Sequence, residues 1–202
     1  MKKKEFHIEV PGGADKVLLH TCCAPCSSAI IECLMRHGVR PAIYYFNPNI
    51  YPLKEYSLRK DECVRYALSS GLDVIDAGYD HKRWLEYVKG KENEPERGER
   101  CLHCFKMRLR DTARYAHEHG FTVISTTLAS SRWKSLDQIN EAGRYAVEPY
   151  PDVVWWGQNW RKGGLSERRA AIIKEYGFYN QQYCGCEFSM RRLSGNEALW
   201  GQ

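Results

Sequence analysis

The sequence lacks several features, and each absence excludes a class of protein. No apolar run approaches the roughly 18 residues that a transmembrane helix needs, and neither an internal repeat nor a low-complexity linker interrupts the chain. The start, MKKKEFHIEVPGG, carries a basic cluster without the apolar core and small-residue cleavage site of a secretion signal. We therefore expect a cytoplasmic protein that makes no membrane contact.

The composition indicates one ordinary globular domain. The chain has 202 residues, of which 43% are hydrophobic and 27% are charged, and these proportions exclude intrinsic disorder. A chain of this length is expected to form a single domain, 1–202. Folding buries about 70% of the surface that such a chain exposes when unfolded, so the domain needs no covalent staples.

Short apolar or β-branched runs alternate with helical patterns along the chain. The predicted strands are Lys16–Thr21, Arg40–Phe46, Leu72–Ala77, Phe121–Leu128 and a weaker fifth, Pro149–Trp156. The predicted helices run from near Pro25 to Gly38 and then over Lys54–Ser70, His81–Lys89, Cys101–His119, Leu136–Val147 and Ser166–Tyr176. This alternation predicts an α/β fold with a Rossmann-like, mostly parallel sheet flanked by helices. Ligands of such sheets bind beyond the carboxyl ends of the strands.

Cysteine is unusually frequent, with nine residues. Structural disulfides are rare in a reducing compartment, so clustered cysteines indicate metal or redox sites. Cys33 and Cys63 stand alone among apolar residues at helical spacing, which predicts plain core positions. The other cysteines form three groups: Cys22, Cys23 and Cys26; Cys101 and Cys104; and Cys184 and Cys186.

The first two groups lie where ligands are expected. Cys22 and Cys23 follow the first predicted strand and Cys26 lies in the first helical turn, where free N–H groups and the helix dipole stabilise thiolates. Cys101 and Cys104 are three apart on a predicted helix and share one face. Four basic residues lie near the second pair in the sequence and could balance the negative charge of a metal cluster: Arg97, Arg100, Lys106 and Arg108.

Two kinds of metal site fit these spacings. The double CxxC pattern of a four-thiolate zinc site consists of Cys23, Cys26, Cys101 and Cys104. The four thiolates of a [4Fe–4S] cluster would be Cys22, Cys23, Cys101 and Cys104. Spacing alone does not separate the two. A structural zinc usually stabilises a small module that is short of core, so the adjacent cysteines at the ligand end of the sheet fit a working site better.

The third group, YCGC at 183–186, favours redox chemistry. Two cysteines separated by one glycine can close a small, strained disulfide, and strained disulfides are the easily reduced, catalytic kind. The alternative is that Cys184 and Cys186 are two further metal ligands. A pair that delivers two electrons beside a cluster that passes them singly suggests a two-electron reduction.

These residues resemble the QueH family of epoxyqueuosine reductases over nearly the whole chain. The shared motifs are HTCCAPCS at 20–27, NPNIYP at 47–52 followed by Glu55, Tyr56 and Arg59, RCLHCF at 100–105 with Arg108 and Leu109, TTL at 126–128 with Ser131 and Lys134, KGG at 162–164, and YCGC at 183–186 followed by Phe188 and Ser189. Several motifs in one order are far more specific than a single CxxC pair. The segment Ser131–Lys134 departs from the family by lacking a proline after the serine.

The resemblance implies an oxidoreductase that reduces epoxyqueuosine at the wobble position of tRNA to queuosine, the last step of queuosine biosynthesis, with electrons from an external donor. It also implies a fold of the nucleotide α-hydrolase (HUP) group. By position, the [4Fe–4S] ligands would be Cys22, Cys23, Cys101 and Cys104, and the redox-active pair would be Cys184 and Cys186. An additional mononuclear iron is implied, with a neighbouring thiolate, Asp15 or Asp80 as open choices of ligand. We expect the cysteine-bearing tail, about 177–202, to close over the metal site.

Charge and composition separately favour an RNA partner. The net charge is +5, and basic groups that can contact phosphates stand at Arg161-Lys162, Arg168-Arg169 and Arg191-Arg192. Thirteen tyrosines and six tryptophans offer rings for stacking an unpaired base. A zinc-stabilised RNA-binding module would share these features. An ATP-dependent tRNA sulfur-transfer enzyme would need a glycine-rich phosphate loop after the first strand, where CCAPCS stands instead.

Overall fold

A computed structural model describes residues 6–190 of the chain. The strands are β1 (Lys16–His20), β2 (Arg40–Tyr45), β3 (Val74–Asp76), β4 (Val123–Thr126) and β5 (Val154–Trp155). The helices are α1 (Ala24–Arg36), α2 (Leu53–Ser69), α3 (His81–Tyr87), α4 (Glu99–Glu118), α5 (Leu136–Val147), α6 (Leu165–Tyr176) and α7 (Glu187–Met190), with short 3-10 turns at Pro11–Gly13 and Thr127–Ser130. No helix in the described part of the chain has both the length and the apolar character to cross a membrane.

The five strands form one all-parallel sheet in the order β3-β2-β1-β4-β5. β1 lies at the centre, where Leu19 pairs with Ile43 of β2 and His20 pairs with Thr126 of β4. The chain extends the sheet to one side through β2 and β3 and then returns to the other side of β1 through β4. The strand order therefore reverses between β1 and β4. The carboxyl ends of these two strands flank the crevice in which such sheets bind ligands.

Helices cover the sheet on both faces and account for its apolar strands. Val17, Leu18 and Leu19 of β1 have no solvent exposure, and every residue of β4 is buried. α1 packs against α2 and α6, and α4 packs against α5. Right-handed crossovers place these two sets of helices on opposite faces. Strands buried on both faces are apolar throughout rather than alternating, as the sequence of β1 shows.

The predicted order of elements and the parallel α/β sheet are confirmed. The differences lie at the ends of elements: β3 covers only Val74–Asp76 of the predicted Leu72–Ala77, and α4 begins two residues early, at Glu99. α5 begins where predicted because the hydroxyl of Ser135 accepts from a backbone N–H of its first turn. α7 is a single turn, which is too short to show a periodic pattern in the sequence.

Gly143 lies in α5 and faces the ring of Trp155 on β5. A Cβ atom at this glycine would lie 2.1 Å from the nearest ring carbon. In an open helix Gly→Ala stabilises by up to about 1 kcal/mol, but overpacking typically costs about 1–3 kcal/mol. We expect Gly143→Ala to lower the free energy of unfolding in urea by about 1–2 kcal/mol. Adding Trp155→Leu should recover most of the loss, and a stabilised single variant would contradict this packing.

Candidate metal and redox site

The first cysteine group lies at the crevice between β1 and β4. Cys23 is the residue immediately before α1 and adopts an extended conformation, and its side chain makes no hydrogen bond to the N–H groups of the helix's first turn. The backbone N–H of Cys22 donates to the hydroxyl of Thr127 at 3.3 Å, and the Cys22 sulfur lies 3.5 Å from the same oxygen. Because Thr127 follows β4, these contacts join the ends of the two central strands.

The thiols of this group form a tight cluster. The sulfurs of Cys22, Cys23 and Cys26 all lie within 4.8 Å of one another, and those of Cys22 and Cys23 are 3.8 Å apart. The amide of Gln181 donates to the sulfur of Cys23 at 3.1 Å and to that of Cys26 at 3.8 Å. Across residues 6–190 this is the one such grouping of three or more cysteine, histidine or carboxylate side chains. Cys26, whose role spacing leaves open, therefore lies within the cluster.

The three thiols of this cluster have different pKa values, because hydrogen bonding and burial act differently on each. Donation from Cys23 and Cys26, with smaller contributions from the charges of Lys134 and Arg108, holds the pKa of Cys22 well below its usual range. Burial raises the pKa of Cys23. The hydrogen bond to Cys22, together with burial, raises the pKa of Cys26 to about 11. Thiolates are the form that binds metal, so metal binding here would release the remaining protons.

Cys101 and Cys104 share one face of α4, as predicted. Cys101 accepts from the backbone N–H of Arg97 at 3.4 Å, and Cys104 accepts from the guanidinium of Arg108 at 3.9 Å. Burial is the largest cause of a raised pKa at both thiols, to about 12 at Cys101, and the charge of Cys184 adds to it. The second cysteine group thus interacts electrostatically with the third, while lying outside the three-thiol cluster.

A buried polar chain joins α4 to the end of β1. The guanidinium of Arg108 also donates to the side-chain oxygen of Asn47, and the amide of Asn47 donates to the carbonyl of Thr21 at 2.9 Å. Thr21 directly precedes Cys22 in the sequence. Arg108 therefore connects Cys104 to the loop that carries the first cysteine group, which positions the two groups relative to each other.

Other charged residues suggested for the site have different roles. Arg100 donates to three backbone carbonyls of the preceding loop, and Lys106 pairs with a glutamate of α5 at 2.7 Å. Asp15 precedes β1 and so lies at the opposite edge of the sheet from the thiols. Asp80 accepts from a backbone N–H in the first turn of α3 and caps that helix. Neither aspartate belongs to the cluster of thiols formed by Cys22, Cys23 and Cys26.

The third group is held in a bend around Gly185. This glycine has a φ of +123°, a conformation that L side chains rarely adopt. The carbonyls of Tyr183 and Cys184 accept from the buried guanidinium of Arg59 at 3.2 and 3.3 Å. Both cysteines are free thiols. Burial, followed by the charge of Cys184, raises the pKa of Cys186 to about 11.

Lys134 interacts with the first and third groups together. Burial disfavours its ammonium, but the charges of Cys184, Cys22 and Cys26 outweigh burial and raise its pKa. In the sequence, Lys134 belongs to a motif shared with the family, and its role does not follow from that motif. This electrostatic interaction depends on residues far apart in the sequence, so no local pattern could have revealed it.

The basic groups suggested for RNA binding have different environments. Arg168 pairs with a glutamate of α1 at 2.7 Å, and Arg169 donates to a backbone carbonyl of α1 at 2.8 Å, so both hold α6 against α1. Arg161 donates to a backbone carbonyl of the loop before α5 at 2.8 Å. Arg191 and Arg192 lie outside the described residues.

The cluster of free thiols at the carboxyl end of the central strand of this all-parallel α/β sheet could hold a metal ion, which indicates the class of cysteine-rich α/β proteins with a candidate metal site. Comparison with known proteins identifies the family within that class. The sequence model of the family described as epoxyqueuosine reductase QueH matches residues 17–192. The chain belongs to the QueH family, which confirms the resemblance seen in the motifs.

Individual relatives agree with this assignment, and each is described as epoxyqueuosine reductase QueH. The protein of Histophilus somni is 52% identical over 184 residues, which cover 91% of this chain and 76% of the relative. That of Haemophilus influenzae is 50% identical over 184 residues, covering 91% and 75%. That of Acinetobacter baylyi is 48% identical over 191 residues, covering 95% and 88%.

Proposed function

We propose that this chain is an oxidoreductase that reduces epoxyqueuosine in tRNA to queuosine. The observation that carries the proposal is the family match over residues 17–192, and the free thiols at the crevice support it. Removing the epoxide oxygen to leave an alkene consumes two electrons and two protons and releases water. A dithiol supplies two electrons when it closes to a disulfide, and thiolates can hold an iron–sulfur cluster that passes electrons from a donor.

The proposed ligands of a [4Fe–4S] cluster are Cys22, Cys23, Cys101 and Cys104. Four thiolates are the donor set that such a cluster takes, and the nearby cations Lys134 and Arg108 offset their negative charge. The bound cluster would pass electrons one at a time. Cys26 is our candidate ligand for an additional iron, because its sulfur lies within 4.8 Å of the two sulfurs of the adjacent pair.

Cys184 and Cys186 are the proposed dithiol that stores the two electrons. Closing the disulfide releases two electrons and two protons, and a two-electron external donor restores the thiols. The charge of Cys184 contributes to the raised pKa of Cys101, so the proposed dithiol and the second cysteine group interact electrostatically. The contact from Gln181 to Cys23 supports a tail, from about 177, that closes over the metal site. The part of that tail after residue 190 lies outside the described residues.

The single domain is proposed to share the nucleotide α-hydrolase (HUP) architecture. Its strand order, β3-β2-β1-β4-β5, is that of the first five strands of a dinucleotide-binding sheet. The loop after β1 carries cysteines where a phosphate loop carries glycines, so the chain is not proposed to use ATP. Nine free cysteines suit a reducing compartment, which supports a cytoplasmic location.

Anaerobic purification followed by spectroscopy and a turnover assay tests the proposal. We expect a brown protein with broad absorption near about 400 nm and about four or five iron atoms per chain. It should convert tRNA that carries epoxyqueuosine when a low-potential chemical reductant is present. The same tRNA already carrying queuosine is the control substrate. A colourless, inactive protein with stoichiometric zinc would support the RNA-binding module instead.

A further inference from the structure

Trp133 is the most exposed large hydrophobic residue between residues 6 and 190, with 67% of its surface accessible. Single exposed apolar side chains are common and need no explanation by themselves. Trp133 is different because side chains from elsewhere in the fold hold the backbone that carries it. It therefore presents a flat aromatic face from a fixed loop.

Arg97 and Arg161 hold this loop. The guanidinium of Arg97 donates to the carbonyls of Arg132 and Trp133, both at 2.9 Å, and that of Arg161 donates to the carbonyl of Lys134 at 2.8 Å. Arg97 itself has a φ of +66°, and no other non-glycine residue in the described range has a positive φ. Such a backbone conformation is unfavourable and persists only where surrounding contacts enforce it. The loop is therefore ordered before any ligand arrives.

The cations around this loop lack a carboxylate partner. Within residues 6–190 no ion pair includes Arg97, Arg132 or Arg161. Burial and the nearby charge of Arg97 lower the pKa of Arg161. Holding like charges together costs free energy, and a bound anion would offset that cost. The surface patch formed by Trp133, Arg97, Arg132 and Arg161 therefore favours an anionic ligand.

The loop lies beside the thiols. The hydroxyl of Ser130, in the turn directly before this loop, donates to the backbone carbonyl of Cys26 at 3.3 Å. Trp133, three residues further along the chain, is exposed to solvent. The guanidinium of Arg132 lies 5.0 Å from the centre of a Trp133 ring. A planar group stacked on the indole would thus lie on the loop that begins beside Cys26, with the guanidinium of Arg132 next to it.

We propose that Trp133 stacks an unpaired nucleobase of the RNA substrate, next to the nucleotide that reacts, and that Arg132 contacts the adjoining phosphate. A nucleotide satisfies both features of the patch, because its base offers a π-face and its phosphate an anion. An acidic protein would use the cations without needing an exposed indole. The inference rests on the proposed function, which brings an RNA base to the thiols.

Binding of full-length tRNA to the full chain, measured by fluorescence anisotropy at several salt concentrations, tests this surface. We expect Trp133→Ala to weaken tRNA binding by about tenfold or more, and Trp133→Phe, which keeps an aromatic face, to retain most of the affinity. Arg132→Gln should lower the slope of log affinity against log salt concentration by about 0.7, as for one phosphate contact in a single strand. The matched control is Leu68→Ala, which removes a side chain exposed by 60% on the last turn of α2, away from the thiols, and should leave binding unchanged.

Two outcomes would overturn the inference. One is a Trp133→Ala variant that binds tRNA as tightly as the unmodified chain. The other is a Trp133→Ala variant whose defect appears only in the KM for a protein electron donor, which would make the patch a donor-docking surface. A failure of the proposed function looks different, because the unmodified chain itself would then neither bind tRNA nor reduce epoxyqueuosine.

Discussion

Cys104→Ala is expected to remove the iron–sulfur absorption and to lower turnover by at least about 100-fold. Cys104 is buried on α4 and Arg108 donates to its sulfur, and we propose that it is one of four cluster ligands. Loss of one thiolate leaves one iron of the proposed [4Fe–4S] cluster without its protein ligand, which destabilises the cluster. Cys63→Ala is the matched control, because it removes the sulfur of an equally buried cysteine that lies in the hydrophobic core. Iron content, absorption near about 400 nm and turnover provide the measurements.

A second pair of variants separates the two metal arrangements that the spacing leaves open. Cys22→Ala should lose the cluster, whereas Cys26→Ala should keep it, because only Cys22 belongs to the proposed [4Fe–4S] set. The two sulfurs lie in the same three-thiol cluster, so a merely structural effect would be similar in both variants. The opposite result, with Cys26 required and Cys22 dispensable, would favour the double CxxC arrangement. An unchanged iron content in Cys104→Ala would refute the ligand set altogether.

Arg59→Met is expected to lower the free energy of unfolding by about 3–5 kcal/mol. Arg59 and Glu55 are both almost fully buried, and their side chains are joined by a 2.7 Å hydrogen bond on α2. Removing the guanidinium leaves the carboxylate of Glu55 with the hydroxyl of Tyr179, at 3.1 Å, but no counter-charge. The uncompensated buried charge accounts for the large effect, which urea denaturation would measure.

The double variant Glu55→Gln/Arg59→Met isolates the cause. It should recover much of the stability, because no unpaired charge remains in the interior. The same substitutions should also change the dithiol–disulfide equilibrium of the third cysteine group, since Arg59 binds the carbonyls of Tyr183 and Cys184. Alkylation in glutathione buffers of defined potential would measure that equilibrium. A loss below about 1 kcal/mol in Arg59→Met would show that the pair behaves like a surface ion pair.

Local patterns were sufficient to predict most of the fold. Each strand of the parallel sheet is a short apolar run and each long helix has a clear periodicity, so the strands, helices and their order follow from nearby residues. The cluster location follows as well, because the loop after a central parallel strand lies at the ligand-binding edge. Elements without a local signal could not be predicted, such as the single turn of α7.

Contacts between residues that are far apart in the sequence could not be predicted from local patterns. Lys134 and Arg59 belong to motifs shared with the family. Nothing nearby in the sequence shows that Lys134 interacts with the charges of the thiols, or that Arg59 donates to the carbonyls of Tyr183 and Cys184. The sequence predicts Arg168 as a phosphate contact, but in the fold Arg168 pairs with Glu32. A charged side chain has the same local pattern whether it meets solvent, a carboxylate or a ligand, so its role depends on what the fold places opposite it.

The sequence by itself determined the α/β class, the family and the division of nine cysteines into three groups and two core positions. These properties depend on residue type and spacing, which the chain carries before it folds. The tertiary structure decided that Cys26 joins Cys22 and Cys23 in one cluster, that Arg108 donates to the sulfur of Cys104, and that Trp133 stands exposed on a loop that begins beside Cys26. Those properties depend on distances across the sheet, which exist only once the strands have paired and the helices have packed.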